Sequence, residues 1–231
     1  MTSWIDFWAG SPCLYVNERH LRVHCARIAH DLGQAIGRVP GGRVLDFGCG
    51  DALAAPALAE ATGAELLLYD GAPAVRQRLT SRFGTANGIV VLDETGWNAL
   101  PPASVDVIVM ISVAQYMTTS DLALLLGRMH ALLKPDGAVI VGDVIPPASD
   151  LADLGALLVP AVRYGFIAAA VVGLLRTFFS DYRRLRAEVG LTRYTEADFI
   201  ALARRSGFRA ERFDPNPGFN RKRMAFRARK A

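Results

Sequence analysis

Val44-Leu45-Asp46-Phe47-Gly48-Cys49-Gly50-Asp51, followed by Leu66-Leu67-Leu68-Tyr69-Asp70, is the stretch whose reading decides the fold. An apolar strand runs straight into a Gly-x-Gly turn and then an Ala-rich helix, and a second apolar strand ends on a carboxylate. In such an arrangement the loop backbone approaches a nucleoside-bearing ligand, and the acid accepts hydrogen bonds from both ribose hydroxyls. Asp46, two residues before the first glycine, makes the site distinctive. It would repel a pyrophosphate and suits a ligand that carries positive charge, such as an ammonium or a sulfonium.

Working outward, the spacing of Leu21, Ile28, Leu32, Ala35 and Ile36 predicts a helix over 14–38. Pro40-Gly41-Gly42 breaks it before a first strand at 43–47. Helices are predicted at 52–62, 73–83 and 121–133, the last capped by Ser120. Further strands are predicted at 65–69, 89–92, 105–111 and 138–142. Continuous aliphatic strands alternating with helices indicate a mostly parallel sheet covered on both faces. Residues 146–191 interrupt the alternation as a helical insertion. A helix starting at Thr195-Glu196-Ala197-Asp198 and two strands flanking Pro215-Asn216-Pro217-Gly218 complete the chain. The last strand alternates apolar and arginine positions, as on a covered antiparallel edge.

The 231 residues suit one α/β domain, with an N-terminal helical cap at 1–39 and the main domain at 40–231. The net charge of +4 argues only weakly for acidic partners. The basic run Arg221, Lys222, Arg223, Arg227, Arg229 and Lys230 reads as a solvated strand, so no nucleic-acid partner is expected. Three cysteines without metal spacing read as free thiols in a cytoplasmic protein, and no metal is expected. The start MTSWIDFWAG lacks the basic and apolar pattern of a signal peptide. The greasy stretch 157–175 contains Pro160 and Arg163, which disfavour a membrane span. The 146–191 insertion is a candidate for a substrate lid, a homodimer interface or, through 157–186, a peripheral membrane contact.

Three motifs occur in one order: Val44 to Gly50, Asp70, and Leu132-Leu133-Lys134-Pro135-Asp136-Gly137. Together they resemble the class I S-adenosyl-L-methionine (SAM)-dependent methyltransferases, whose fold is a Rossmann-like seven-stranded sheet with an antiparallel last strand. The family usually has a third glycine where this chain has Ala52. The resemblance implies that Gly48 and Gly50 let the loop approach the methionyl part of SAM, with Cys49 between them. It also implies that Asp46 sits beside the α-ammonium group, that Asp70 binds the ribose diol, and that Gly71 and Ala72 line the adenine. Asp93, Gly96 and Trp97 are the candidates after the third strand for the adenine amine and ring. Ser112 at the end of the fourth strand completes the cofactor set. A helix N-cap is the competing role for Asp70, and a core-edge position for Trp97.

Methyl transfer from a sulfonium needs alignment, exclusion of water and, for some acceptors, a base. The candidate bases are His20 and His24, four apart on one helix face, with Tyr116. Tyr15, Gln115, Tyr116 and Arg163 are the candidate substrate contacts. The Asn/Asp-Pro-Pro-Tyr/Phe segment of amino-methyltransferases acting on nucleic acids or glutamine is absent after the fourth strand. The expected acceptor is therefore a small hydrophobic or lipid-like molecule methylated on O, N or C. A nicotinamide-dependent oxidoreductase is the rival enzyme, disfavoured by Asp46 and by Leu53 in its third glycine place. A non-catalytic SAM-binding scaffold is the other alternative.

Overall fold

The computed structural model describes residues 4–10, 18–147 and 190–231. Strands β1 (Arg43–Phe47), β2 (Glu65–Tyr69), β3 (Ile89–Val91), β4 (Val105–Ile111), β5 (Leu133–Val144), β6 (Phe208–Phe213) and β7 (Met224–Lys230) form one sheet in the order β3-β2-β1-β4-β5-β7-β6. The first five are parallel, and β7 runs antiparallel to both β5 and β6. The helices are α1 (Trp4–Ala9), α2 (Glu18–Ile36), α3 (Ala55–Thr62), α4 (Pro73–Phe83), α5 (Glu94–Ala99), α6 (Thr119–Leu132) and α7 (Glu196–Arg205). Strand order reverses between β1 and β4, which opens a crevice at the carboxyl ends of the strands, where ligands bind in such sheets.

The aliphatic strands divide their side chains between two faces. Val44, Leu66, Leu68 and Ile140 join Leu32, Leu58 and Leu79 of α2, α3 and α4 in one core. Leu45, Leu67, Ile108 and Val139 join Leu122, Leu126, Met129 and Phe199 of α6 and α7 in the other. Phe199 stacks on Phe226 of β7 at 4.2 Å. The Lys-Pro-Asp-Gly segment is a structural clasp: Lys134 Nζ donates to Asp106 at 2.8 and 2.9 Å, and Asp106 also accepts the Arg43 amide. Burial works to raise the Asp106 carboxyl, but the bonds from Lys134 and Arg43 outweigh it and hold the group low.

Several expectations are corrected. The sequence predicts β7 at a sheet edge, yet it lies between β5 and β6, because Met224, Ala225, Phe226 and Ala228 are all buried and demand cover. Its arginines are partnered: Arg229 meets Glu211 across to β6, and Arg227 donates to the Ala35 carbonyl of α2. Thr118, not Ser120, caps α6, its hydroxyl accepting the Asp121 amide at 3.1 Å. Helix α3 starts at Ala55 because Ala52 adopts a left-handed backbone (φ 47°). Strand β5 begins at Leu133, five residues before the predicted start. The segment after β3 is helical (α5), with Asp93 as its cap. Most of the predicted 146–191 insertion lies outside the described residues. Among the described residues, no helix is long and apolar enough to cross a membrane.

Candidate functional site

The glycine loop leaves β1 at the crevice. Gly48 (φ 72°) and Gly50 (φ 55°) adopt backbone that favours glycine. Gly48 is forced sterically as well, because a Cβ there would lie 2.4 Å from Val113 Cγ2, just beyond β4. The Gly48 and Cys49 amides donate to the Tyr69 carbonyl at 2.7 and 3.3 Å, holding the loop against the end of β2. Asp70 finishes this tie: Oδ2 accepts the Gly50 amide at 3.0 Å and Oδ1 the Ala72 amide at 2.9 Å. Ala72 is the residue that precedes α4 as its cap, and it offers no side-chain bond. Arg76 of α4 donates to the Asp70 and Gly71 carbonyls, fixing the turn from below.

Asp46 lies within β1 and Asp70 just past the end of the neighbouring β2, close enough for their charges to interact. Burial, and then the Asp70 charge, push the Asp46 carboxyl up to about 7. Among the described residues no hydrogen bond or ion pair compensates it. The Cys49 thiol is raised as well, by burial first and then by the charges of Asp46 and Asp70, so it stays protonated and is no nucleophile. A Cβ built on Gly50 or Gly71 meets nothing within 4 Å, so the loop leaves room directly over its backbone. Two carboxylates, one uncompensated, beside a bare backbone cradle fit a cationic nucleoside such as SAM and disfavour a pyrophosphate.

The loop after β3 is built differently from its sequence expectation. Asp93 Oδ1 accepts the Gly96 amide at 2.7 Å and caps α5. Trp97 is 6% exposed and belongs to the core, stacked on Tyr69 at 4.9 Å with Arg128 4.3 Å over its ring. Arg128 also donates to the Trp97 carbonyl at 2.5 Å. The indole is thus packed from within the protein, in the core-edge position that the sequence left open for it. Tyr69 donates to Glu94 at 2.9 Å, and Glu94 also meets Arg76.

At the ends of β4 and β5 the structure assembles a polar group that sequence reading did not bring together. Ser112 Oγ donates to Asp143 Oδ2 at 2.7 Å, and the Asp143 amide donates to Asn216 Oδ1 at 2.8 Å. Gln115, in a 3₁₀ turn at Ala114–Tyr116, is 6% exposed. The Tyr116 ring lies 4.6 Å from Trp4 of α1. His24 of α2 packs near Phe219 (6.1 Å), beside the 216–220 loop. His20 falls within α2, but its side chain is outside the described residues, as are Tyr15 and Arg163. Asp143 has no sequence signal of its own. Only its place as a lone acid among apolar neighbours near the end of β5 marks it.

A family model described as a methyltransferase domain matches residues 18–212. A search of curated proteins finds no matching relative. Among solved structures, mitomycin 7-O-methyltransferase is similar at 21% identity and a TM-score of 0.59, covering 88% of this chain and 54% of its own. A chain of a Haloferax volcanii complex holding the Trm112 methyltransferase activator is similar at 14% identity and a TM-score of 0.65, with 100% and 99% covered. A Haemonchus contortus phosphoethanolamine N-methyltransferase, in complex with phosphomonomethylethanolamine and S-adenosylhomocysteine, is similar at 16% identity and a TM-score of 0.53, with 80% and 39% covered. The chain therefore spans about half the length of the mitomycin enzyme, and these likenesses establish the fold.

Proposed function

Because the chain belongs to the methyltransferase-domain family, we propose that it is a SAM-dependent methyltransferase acting on a small, hydrophobic or lipid-like acceptor. The observation that carries the reading is the pair of acids beside the glycine loop, Asp46 within β1 and Asp70 after β2, the latter accepting the Gly50 amide.

SAM supplies a methyl group already activated on a sulfonium. The chain's own residues hold and orient it. Asp46 balances the α-ammonium charge, and the Gly48–Gly50 backbone leaves room for the methionyl part. Asp70 is already oriented by the Gly50 and Ala72 amides, and its remaining lone pairs would accept from the ribose hydroxyls. Gly71 and Ala72 border the adenine. The residues after β4, from Ser112 to Tyr116, flank the side from which an acceptor would approach. Holding nucleophile and methyl carbon in line lowers the entropic part of the barrier to such a reaction.

A small-molecule acceptor is supported by the missing Pro-Pro-Tyr segment and by the small-molecule names of two neighbours, the mitomycin O-methyltransferase and the phosphoethanolamine N-methyltransferase. Titration calorimetry with SAM, S-adenosylhomocysteine and NADH tests the cofactor. Binding of the first two and not of NADH is expected, and the reverse would refute the reading. Incubation of methyl-labelled SAM with fractionated cell extract tests the acceptor, with label expected in small organic-soluble molecules rather than in protein or nucleic acid.

A further inference from the structure

Arg76 joins the loop that follows β2 to the loop that follows β3. It is the fourth residue of α4, and its side chain is only 12% exposed. A guanidinium so far from water needs partners for its donors. Here they come from two separate segments. Nη1 donates to the Asp70 carbonyl at 2.7 Å and to the Gly71 carbonyl at 3.1 Å. Nη2 meets Glu94 Oε2 at 3.4 Å. The two carbonyls belong to the turn after β2, and Glu94 opens α5 just past β3.

Glu94 is anchored in turn, although 59% of its side chain is exposed. The same Oε2 accepts the Tyr69 hydroxyl at 2.9 Å. Tyr69 has the Arg76 guanidinium 5.5 Å from its ring centre and stacks on Trp97 of α5 at 4.9 Å. Arg128 of α6 lies 4.3 Å over Trp97. Rings and cations from α4, β2, α5 and α6 therefore brace one another, each contact adding a modest attraction. They hold Tyr69 and the start of α5 from inside, and so give Arg76 a fixed counter-ion.

Resting on the methyltransferase reading above, we infer that Arg76 is a positioning residue for the nucleoside half of the cofactor, held in place by Glu94. It acts through Asp70. The Asp70 carboxylate accepts the Gly50 and Ala72 amides, and the Asp70 carbonyl accepts Arg76, so the residue is fixed at both ends. Locking the turn after β2 to the start of α5 orders both loops before the ligand arrives. Binding then loses less to ordering them, and the carboxylate stays within the small tolerance a hydrogen bond allows. Lysine would keep the charge and lose the planar fork that serves two carbonyls and a carboxylate together.

The test is a double-mutant cycle read by calorimetric titration of the whole protein with S-adenosylhomocysteine, which lacks the sulfonium charge. Arg76→Met should weaken binding about 5–20-fold in the parent protein. In an Asp70→Ala background the same change should cost less than about twofold, because the group that Arg76 positions is gone. A merely structural loosening would cost the same in both backgrounds. Arg76→Lys should fall between parent and Arg76→Met, by about 3–10-fold. Glu94→Gln alters an exposed side chain that still accepts from Tyr69. It is expected to fold whatever the fate of Arg76→Met, and to weaken binding about 3–5-fold in the parent and less than about twofold with Asp70→Ala. A loss below twofold for Arg76→Met, or for Glu94→Gln where Arg76→Met does not fold, would overturn the inference. Equal losses in the two backgrounds would do the same, and both results leave the methyltransferase reading standing. A parent protein that binds neither SAM nor S-adenosylhomocysteine would overturn that reading, and the inference with it.

Discussion

Asp70 Oδ2 accepts the Gly50 amide at 3.0 Å, so the acid at the end of β2 closes the glycine loop at the end of β1. That carboxylate shapes the loop, and in the proposed function its remaining lone pairs bind the ribose hydroxyls. Replacing it exposes both at once. Asp70→Ala should weaken SAM binding roughly 5–150-fold, the range of one or two lost charged hydrogen bonds. Calorimetric titration with SAM measures this, and a change of less than twofold would remove Asp70 from the cofactor site.

Gly48→Ala places a Cβ 2.4 Å from Val113 Cγ2 on a backbone with φ 72°. The clash and the strained backbone together should cost about 1–3 kcal/mol and displace the loop. Thermal unfolding and SAM affinity should both fall. The double variant Gly48→Ala, Val113→Ala removes the clash alone, so partial recovery is expected in both measurements, and none would show that the backbone angle is the whole effect.

Asp46 gives the site a pH dependence. Its carboxyl is raised to about 7 in the folded protein, by burial and then by Asp70, against an ordinary value of 3.8. The folded state thus keeps a proton that the unfolded chain releases, and stability from this group declines as pH rises from about 4 to 7. Asp46→Asn should be more stable than the parent above pH 7 and indistinguishable from it near pH 4. Affinity for SAM should move the other way. A cationic ligand favours the ionised acid, so binding should weaken about 20–30-fold between pH 7.5 and 5.5 and release a proton near neutrality. Calorimetry in two buffers of different ionisation enthalpy counts that proton. A pH-independent affinity would remove Asp46 from contact with the ligand's charge.

Trp97 separates packing from binding. Truncation to Ala should cost about 3–5 kcal/mol, because the ring is buried against Tyr69, Phe47 and Arg128. Trp97→Phe retains much of that packing and should leave SAM affinity within about threefold. A large loss of affinity in a well-folded Trp97→Phe protein would return the ring to the adenine site.

Local signals made much of this fold legible. The ranges of β1, β2, β4 and α4 follow from aliphatic runs bounded by glycine and proline, whose preferences act within a few residues. The roles expected of Gly48 and Asp70 rest on the same kind of short-range spacing, since a strand, a tight turn and a second strand leave few geometries. The expectation that β7 is an edge fails for a long-range reason. Its alternating arginines look solvent-facing until β6 supplies Glu211 and α2 supplies the Ala35 carbonyl.

The sequence by itself determined the alternation of aliphatic strands with helices and the glycine turn after β1, because each depends on residues adjacent along one strand or one turn. Only the tertiary structure decided the rest. Trp97 reads either as a binding residue or as a core-edge aromatic, and Arg128, from a helix thirty-one positions on, covers its ring. Ser112 and Asp143 are likewise thirty-one positions apart, and Asn216 is seventy-three beyond Asp143. No periodicity connects residues at such separations. Their meeting at 2.7 and 2.8 Å follows from the pairing of β4 with β5 and the return of the chain through the 216–220 loop, which brings polar groups together only once the sheet has formed.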